Sequence, residues 1–260
     1  MKNLTILGLF LLLVPSAPAQ DMPLSQILIP GEGWAKGAAG FKPISGIIAH
    51  RFDPNELMVF DTEGHMQGFV DGMGKKIDRK IEEKISFRPG MIAPGGDFQY
   101  RILDNRKSLG IFSAKVPQEK IAEIPLEVEE AVFSITADRG TMLIADAASK
   151  YVWAYRIDKD GKLSGGERYM TLRVRKEEPR SEASAIRVDK AGRIYVASKL
   201  GVQVFDPTGR LCGVLTNPST ERITAMTFGG PKGDHLVVAC GTVIYSRRLN
   251  AVWGFFNDKK

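Results

Sequence analysis

The chain has only two cysteines and three histidines among 260 residues. No Cys-x-x-Cys pair and no Cys/His run at ligand spacing suggests a zinc centre. Cys212 and Cys240 are the one pair available to a disulfide. They fall on the fourth and second strands of successive repeats, at different depths, whereas a bridge needs Cα atoms within roughly 7 Å. They read as two small buried hydrophobes. His50, His65 and His235 come from separate strands, with no serine or cysteine placed by sequence to make a nucleophilic arrangement. Long helical patterns are also missing. No segment of more than about ten residues keeps a 3.6-residue period, which excludes a βαβ architecture. Ile77 to Ile85 comes nearest, and stays open between a short helix and an edge strand. Charge of one sign is scarce as well. The formal charge is +6, and the basic runs at 75–80 and 173–180 are interrupted by Asp78, Glu177 and Glu178. That is a solvated surface rather than a phosphate-tracking stripe, so no nucleic-acid partner is expected. Hydrophobic residues at 43% and charged residues at 25% fit an ordinary folded domain.

What is present is a repeat. It is clearest in Ser184-Ala-Ile-Arg-Val-Asp189, Arg193-Ile-Tyr-Val-Ala-Ser198, Gly201-Val-Gln-Val-Phe-Asp206 and Leu211-Cys-Gly-Val-Leu215. The intervening Lys-Ala-Gly, Lys-Leu-Gly and Pro-Thr-Gly are tight hairpin turns. Similar units begin near residues 46, 90, 132 and 223, so the spacing is about 44, 42, 52 and 39 residues. Four antiparallel strands per unit make a β-propeller of about five recognisable blades, in an all-β single domain over residues 20–260. The last unit offers only three strands, ending in Thr242-Val-Ile-Tyr-Ser246. Gly33 to Phe41 belongs to no other unit, so residues near Trp34 are expected to complete that blade and close the ring.

An address precedes the fold. Met1-Lys-Asn is a short basic start, Leu4 to Val14 is eleven residues apolar apart from Thr5, and Ala17-Pro-Ala19 offers the small residues of a cleavage site. Residues 1–19 therefore read as a bacterial signal peptide, leaving a periplasmic or secreted chain that starts at Gln20. The run is too short for a permanent membrane span, and no membrane insertion is expected after cleavage. Loss of Lys2 takes the formal charge to +5.

Several stretches also carry a resemblance. Leu143-Ile-Ala-Asp146, Tyr151-Val-Trp-Ala-Tyr155, Val188 to Ala197, Leu200-Gly-Val-Gln-Val-Phe-Asp206, Gly209-Arg210, Phe228-Gly-Gly-Pro231 and Ile244-Tyr-Ser-Arg-Arg248 are similar to the C-terminal half of one family. It is the gluconolactonase and regucalcin (senescence marker protein) family, which includes luciferin-regenerating enzyme. The resemblance is weak over Gly33 to Ile124. It implies a six-bladed propeller with an axial divalent metal, usually calcium, that hydrolyses sugar lactones and related esters. The family's metal ligands are a glutamate, an asparagine and an aspartate on innermost strands. Aligned with them here are Ser45, Ala131 and Ser184, and Pro89 stands at a substrate-contact asparagine. Two hydroxyls and a methyl supply no anionic ligand for a hard cation. Relocated ligands would be Glu130 and Glu182, which stand with Glu127 and Glu129 just before the vacated positions and otherwise read as solvated rim acids. Asp146 and Asp189 read as turn-capping residues.

Two functions follow. One is a non-catalytic propeller binding a small sugar- or lactone-like molecule, or a protein, at its axial funnel, with no cofactor. The alternative is a lactonase or esterase-type hydrolase with a rearranged axial site and calcium or another divalent metal. Fold alone does not choose between them.

Overall fold

The computed structural model describes residues 23–49, 55–81, 92–95, 98–103, 108–113, 115–116, 119–126 and 128–254. The expected signal segment, His50, Pro89, Glu127 and the end of the Ile77–Ile85 stretch lie outside them.

Twenty strands form five four-stranded antiparallel sheets, and the one helical element described is a 3-10 turn at Leu24–Gln26. The first blade consists of β2 (Ile44–Ala49), β3 (Glu56–Asp61), β4 (Met66–Asp71) and β5 (Lys76–Ile77). The second is β6 (Ile92–Gly95), β7 (Phe98–Ile102), β8 (Ser108–Ser113) and β9 (Lys120–Pro125). The third is β10 (Ala131–Ile135), β11 (Thr141–Asp146), β12 (Tyr151–Ile157) and β13 (Leu163–Thr171). The fourth is β14 (Ala185–Val188), β15 (Ile194–Ser198), β16 (Gly201–Phe205) and β17 (Leu211–Leu215). The fifth is β18 (Ile223–Gly229), β19 (His235–Cys240) and β20 (Val243–Arg248), closed by β1 (Ala35–Lys36). In this last blade Ala35 pairs with Ser246 and Lys36 with Tyr245. The Trp34 indole N–H, donating to the Thr216 carbonyl at 2.8 Å, pins the closing strand to the fourth blade. The closure expected from the spare N-terminal segment is thus present.

Each blade is a hairpin stack, and turns of the first and fourth blades share one device. In Asp-x-x-Gly-x, the aspartate carboxylate accepts main-chain N–H groups two and four residues on. Asp61 receives Glu63 and His65, Asp71 receives Met73 and Lys75, and Asp206 receives Thr208 and Arg210, all at 2.8–3.0 Å. The glycine three residues after the aspartate has φ of +86°, +83° and +83° at Gly64, Gly74 and Gly209, a region open to glycine without steric cost.

Between blades, inward-facing residues of adjacent sheets interdigitate. Tyr195 of β15 and Phe228 of β18 meet edge to face at 5.1 Å, both fully buried. Such a pair contributes about 1 kcal/mol beyond its buried area. The Tyr195 hydroxyl donates to Asp189 Oδ2 at 3.0 Å, satisfying a polar group at the centre of that contact. Cys212 is partly buried on β17, Cys240 is buried at the end of β19, and neither forms a disulfide.

Two elements differ from their sequence reading. β13 begins at Leu163, five residues before the expected Arg168, and its register against β12 breaks between Ala154 and Arg156. Gly166 permits this, because a Cβ there would run into the Tyr155 ring. The outer edge of the first blade is only Lys76–Ile77, after which residues 78–81 carry no regular structure.

Candidate functional site

The innermost strands of four blades, β2, β10, β14 and β18, converge on a cavity of about 20 Å³. Its walls include Ser45, Ile47, Phe133, Ser184, Arg187 and Met226. That volume holds about one water molecule.

The structure brings Ser45 and Ser184 together in this wall, while Ala131 packs against the apolar cluster around Phe133 and Ile135. Neither hydroxyl hydrogen is free. Ser45 donates to the Asp61 carbonyl on the neighbouring strand. Ser184 donates across to the Ile223 carbonyl of the next blade at 2.7 Å.

The most distinctive group here is Arg187, one wall residue that the sequence analysis did not single out. It sits on β14, partly buried, with its guanidinium donating to the Ile186 carbonyl at 2.7 Å. No carboxylate among the described residues pairs with it. Burial pulls its pKa down to about 10, so it remains a cation at neutral pH. The available signal was an arginine in mid-strand, Ala185-Ile-Arg187-Val188, at the innermost position of a blade.

This donor set does not fit a calcium ion. A divalent cation needs several oxygens, carboxylates among them, at 2.3–2.6 Å. Among the described residues the wall supplies two neutral hydroxyls and no carboxylate, and a guanidinium would stand beside the ion in a poorly solvated space.

Glu130 and Glu182 do not line the cavity. Glu130 is exposed, and its main-chain N–H reaches Asp146 Oδ1 at 3.4 Å. Glu182 is held by Lys199 Nζ at 3.0 Å and Arg222 at 3.3 Å. The Lys199 hydrogen bond is the main cause that keeps its carboxyl below the usual range. Glu129 faces Arg180 at 3.6 Å on the exposed rim. Asp146 and Asp189 accept turn N–H groups from Ala148 and Arg193, as turn-capping aspartates do.

A second group lies away from the axis, on the turn between β3 and β4. Asp61, Glu63 and His65 have potential ligand atoms within 4.8 Å of one another. Asp61 is buried, but its Oδ1 already takes two turn N–H groups, while Glu63 and His65 are exposed. His65 is therefore not isolated, as its sequence position suggested, and the trio is the one described side-chain group with cation-ligand chemistry.

His235 has its Nδ1 2.8 Å from Asp234 Oδ1. It lines a separate groove of about 510 Å³, together with Trp34, Lys75, Ser246 and Arg248, between the closing strand and the first blade.

Comparison with known proteins matches residues 131–242 to the SMP-30/gluconolactonase/LRE-like region. Pentonolactonase XacC from Haloferax volcanii is 25% identical over 208 residues, covering 75% of this chain and 66% of that protein's length. A solved structure provisionally called a gluconolactonase aligns with a TM-score of 0.62 at 15% identity, covering 88% of this chain and 96% of that one. A calcium-binding protein, regucalcin from Agrobacterium tumefaciens, gives 0.61 at 14% identity, covering 86% and 97%. Residues 131–242, in the third to fifth of its five blades, are thus similar to the SMP-30/gluconolactonase/LRE-like region, and the whole fold is a β-propeller of the gluconolactonase type.

Proposed function

We propose that this chain is a non-catalytic binding propeller, exported from a bacterial cell, that takes a small ligand at the mouth of its axis. The observation that carries this reading is the axial wall itself. Ser45 and Ser184, which the resemblance aligns with the family's carboxylate ligands, form part of it, and Arg187 stands beside them with no acidic partner among the described residues. Without a bound divalent cation, the described axial residues offer no metal-activated water as a nucleophile, and several kcal/mol of transition-state stabilisation are missing. The 20 Å³ cavity also leaves a sugar ring no room beside the hydroxyls.

Lactone hydrolysis through a rearranged site is the competing reading, favoured by the pentonolactonase relative. Calcium titration calorimetry and a gluconolactone assay at neutral pH separate the two. A binding propeller gives no calcium affinity tighter than about millimolar and no calcium-dependent turnover. Micromolar binding with turnover establishes the hydrolase instead. Export rests on the basic, apolar and small-residue order of residues 1–19. The intact mass of the protein outside the cytoplasm should correspond to a chain beginning at Gln20, and retention of Met1 to Ala19 contradicts it.

A further inference from the structure

We infer that the axial cavity is a receptor for the carboxylate of a small monocarboxylic ligand, with the Arg187 guanidinium as its cationic partner. The inference rests on the reading of the axis as a metal-free binding site, and names the chemistry that the site selects.

Arginines drawn into a protein interior ordinarily bring a counter-charge. Arg193, only 7% exposed, follows that rule, with Asp189 Oδ2 3.6 Å from its guanidinium and the Gln26 side chain 2.8 Å away. Arg187 breaks it. Its one hydrogen-bond acceptor among the described residues is the neutral carbonyl of Ile186. A guanidinium carries five N–H donors in a planar fork, so most remain for a ligand, in the geometry that matches the two oxygens of a carboxylate. A partly desolvated cation without a partner gains more from a charge-assisted pair than an exposed one does.

The rest of the wall narrows the choice. The Ser45 and Ser184 hydroxyl hydrogens are already donated to the Asp61 and Ile223 carbonyls. Arg187 is then the principal donor that an incoming anion meets, and the apolar Ile47, Phe133 and Met226 supply the remaining surface. Space for about one water admits a single carboxylate oxygen, with the rest of the carboxyl group in the open mouth. Bulk attached directly to the carboxyl carbon cannot follow it in, whereas a chain extending back along the axis toward solvent can. A divalent cation is repelled by the same guanidinium.

The experiment titrates the purified full chain with sodium formate, acetate and pivalate by calorimetry, at constant ionic strength in a buffer with a bulky anion. Formate and acetate should bind saturably at one site with a Kd near or below about 1 mM, corresponding to roughly −4 kcal/mol. Pivalate, whose quaternary carbon adjoins the carboxyl group, should bind at least tenfold more weakly. R187M should lose acetate binding at least tenfold, and R187K should retain part of it through its point charge. The size comparison needs no variant, so a failure of R187M to fold does not rescue the inference. Equal binding of acetate and pivalate, no binding of either small anion, or an unchanged Kd in folded R187M overturns it. The two readings fail separately. Absent carboxylate binding together with absent calcium binding defeats only this inference, while micromolar calcium binding with lactone turnover defeats the binding-propeller reading beneath it.

Discussion

Replacing Asp206 with alanine removes a 2%-exposed carboxylate that receives four hydrogen bonds. They come from the main-chain N–H groups of Thr208 at 2.9 Å and Arg210 at 3.0 Å, the Thr208 hydroxyl at 2.6 Å and Arg210 Nε at 3.3 Å. Hydrogen bonds to an ionised group contribute about 1.5–3 kcal/mol each when buried. Thr208 and Arg210 are exposed, so water can recover part of the loss on the outer side of the turn. The net cost of D206A should therefore be about 2–3 kcal/mol, above an ordinary lost cap because the carboxylate is buried and charged. For a domain of this size that lowers Tm by roughly 5–10 °C. D206N keeps one oxygen able to accept both main-chain N–H groups and should lose about half as much.

The pH dependence has a definite sign. Burial raises the Asp206 carboxyl, but the Thr208 and Arg210 hydrogen bonds outweigh it and leave the folded-state pKa below the ordinary value. A depressed folded pKa gives stability that is fully present above the unfolded value, near 4, and is lost as pH falls through the folded one. The gap between the unmodified protein and D206N should accordingly shrink in thermal scans taken from pH 7 down to pH 3. A Tm change under about 2 °C for D206A, or a gap that widens in acid, refutes the reasoning.

Two further substitutions test the blade contacts and the axis. Gly72→Ala places a Cβ onto the main-chain nitrogen of Gly230, forcing the first and fifth blades apart. Its destabilisation should exceed that of D206A and register as a lower denaturant midpoint. The triple change Ser45→Glu, Ala131→Asn and Ser184→Asp restores the family's ligand types but leaves the guanidinium in place. It should still bind calcium poorly by calorimetry, and adding Arg187→Ala should tighten calcium binding at least tenfold. Tight binding by the triple variant alone contradicts the role given to Arg187.

Much of the fold was legible because a propeller writes itself locally. The short, mostly apolar runs Ile194 to Ser198 and Gly201 to Phe205, bounded by Asp-x-x-Gly turns, specify hairpins without long-range information. The three-stranded last unit even identified its missing partner, and Ala35 does pair with Ser246. β13 was read too short because Ser164-Gly-Gly-Glu167 shows no apolar alternation, and the irregular register that accommodates it depends on the Tyr155 ring next door. The site was less legible. Similarity in the flanking residues pointed to Ser45 and Ser184, which line one small cavity between the inner strands. Arg187 escaped because alternation gives the face of a strand, not which side chain reaches the centre where four strands meet. Asp61, Glu63 and His65 escaped for a related reason. Their convergence is a property of the turn's three-dimensional path, set by Asp61 accepting the N–H groups of the other two.

Calorimetric titration of calcium into the unmodified protein, followed by a gluconolactone assay on the same sample with and without calcium, tests the central claim most directly. With Ser45, Ser184 and the Arg187 cation at the axis, the account predicts no calcium affinity tighter than about millimolar and the same negligible turnover in both samples. A micromolar calcium site accompanied by calcium-dependent lactone hydrolysis would contradict it.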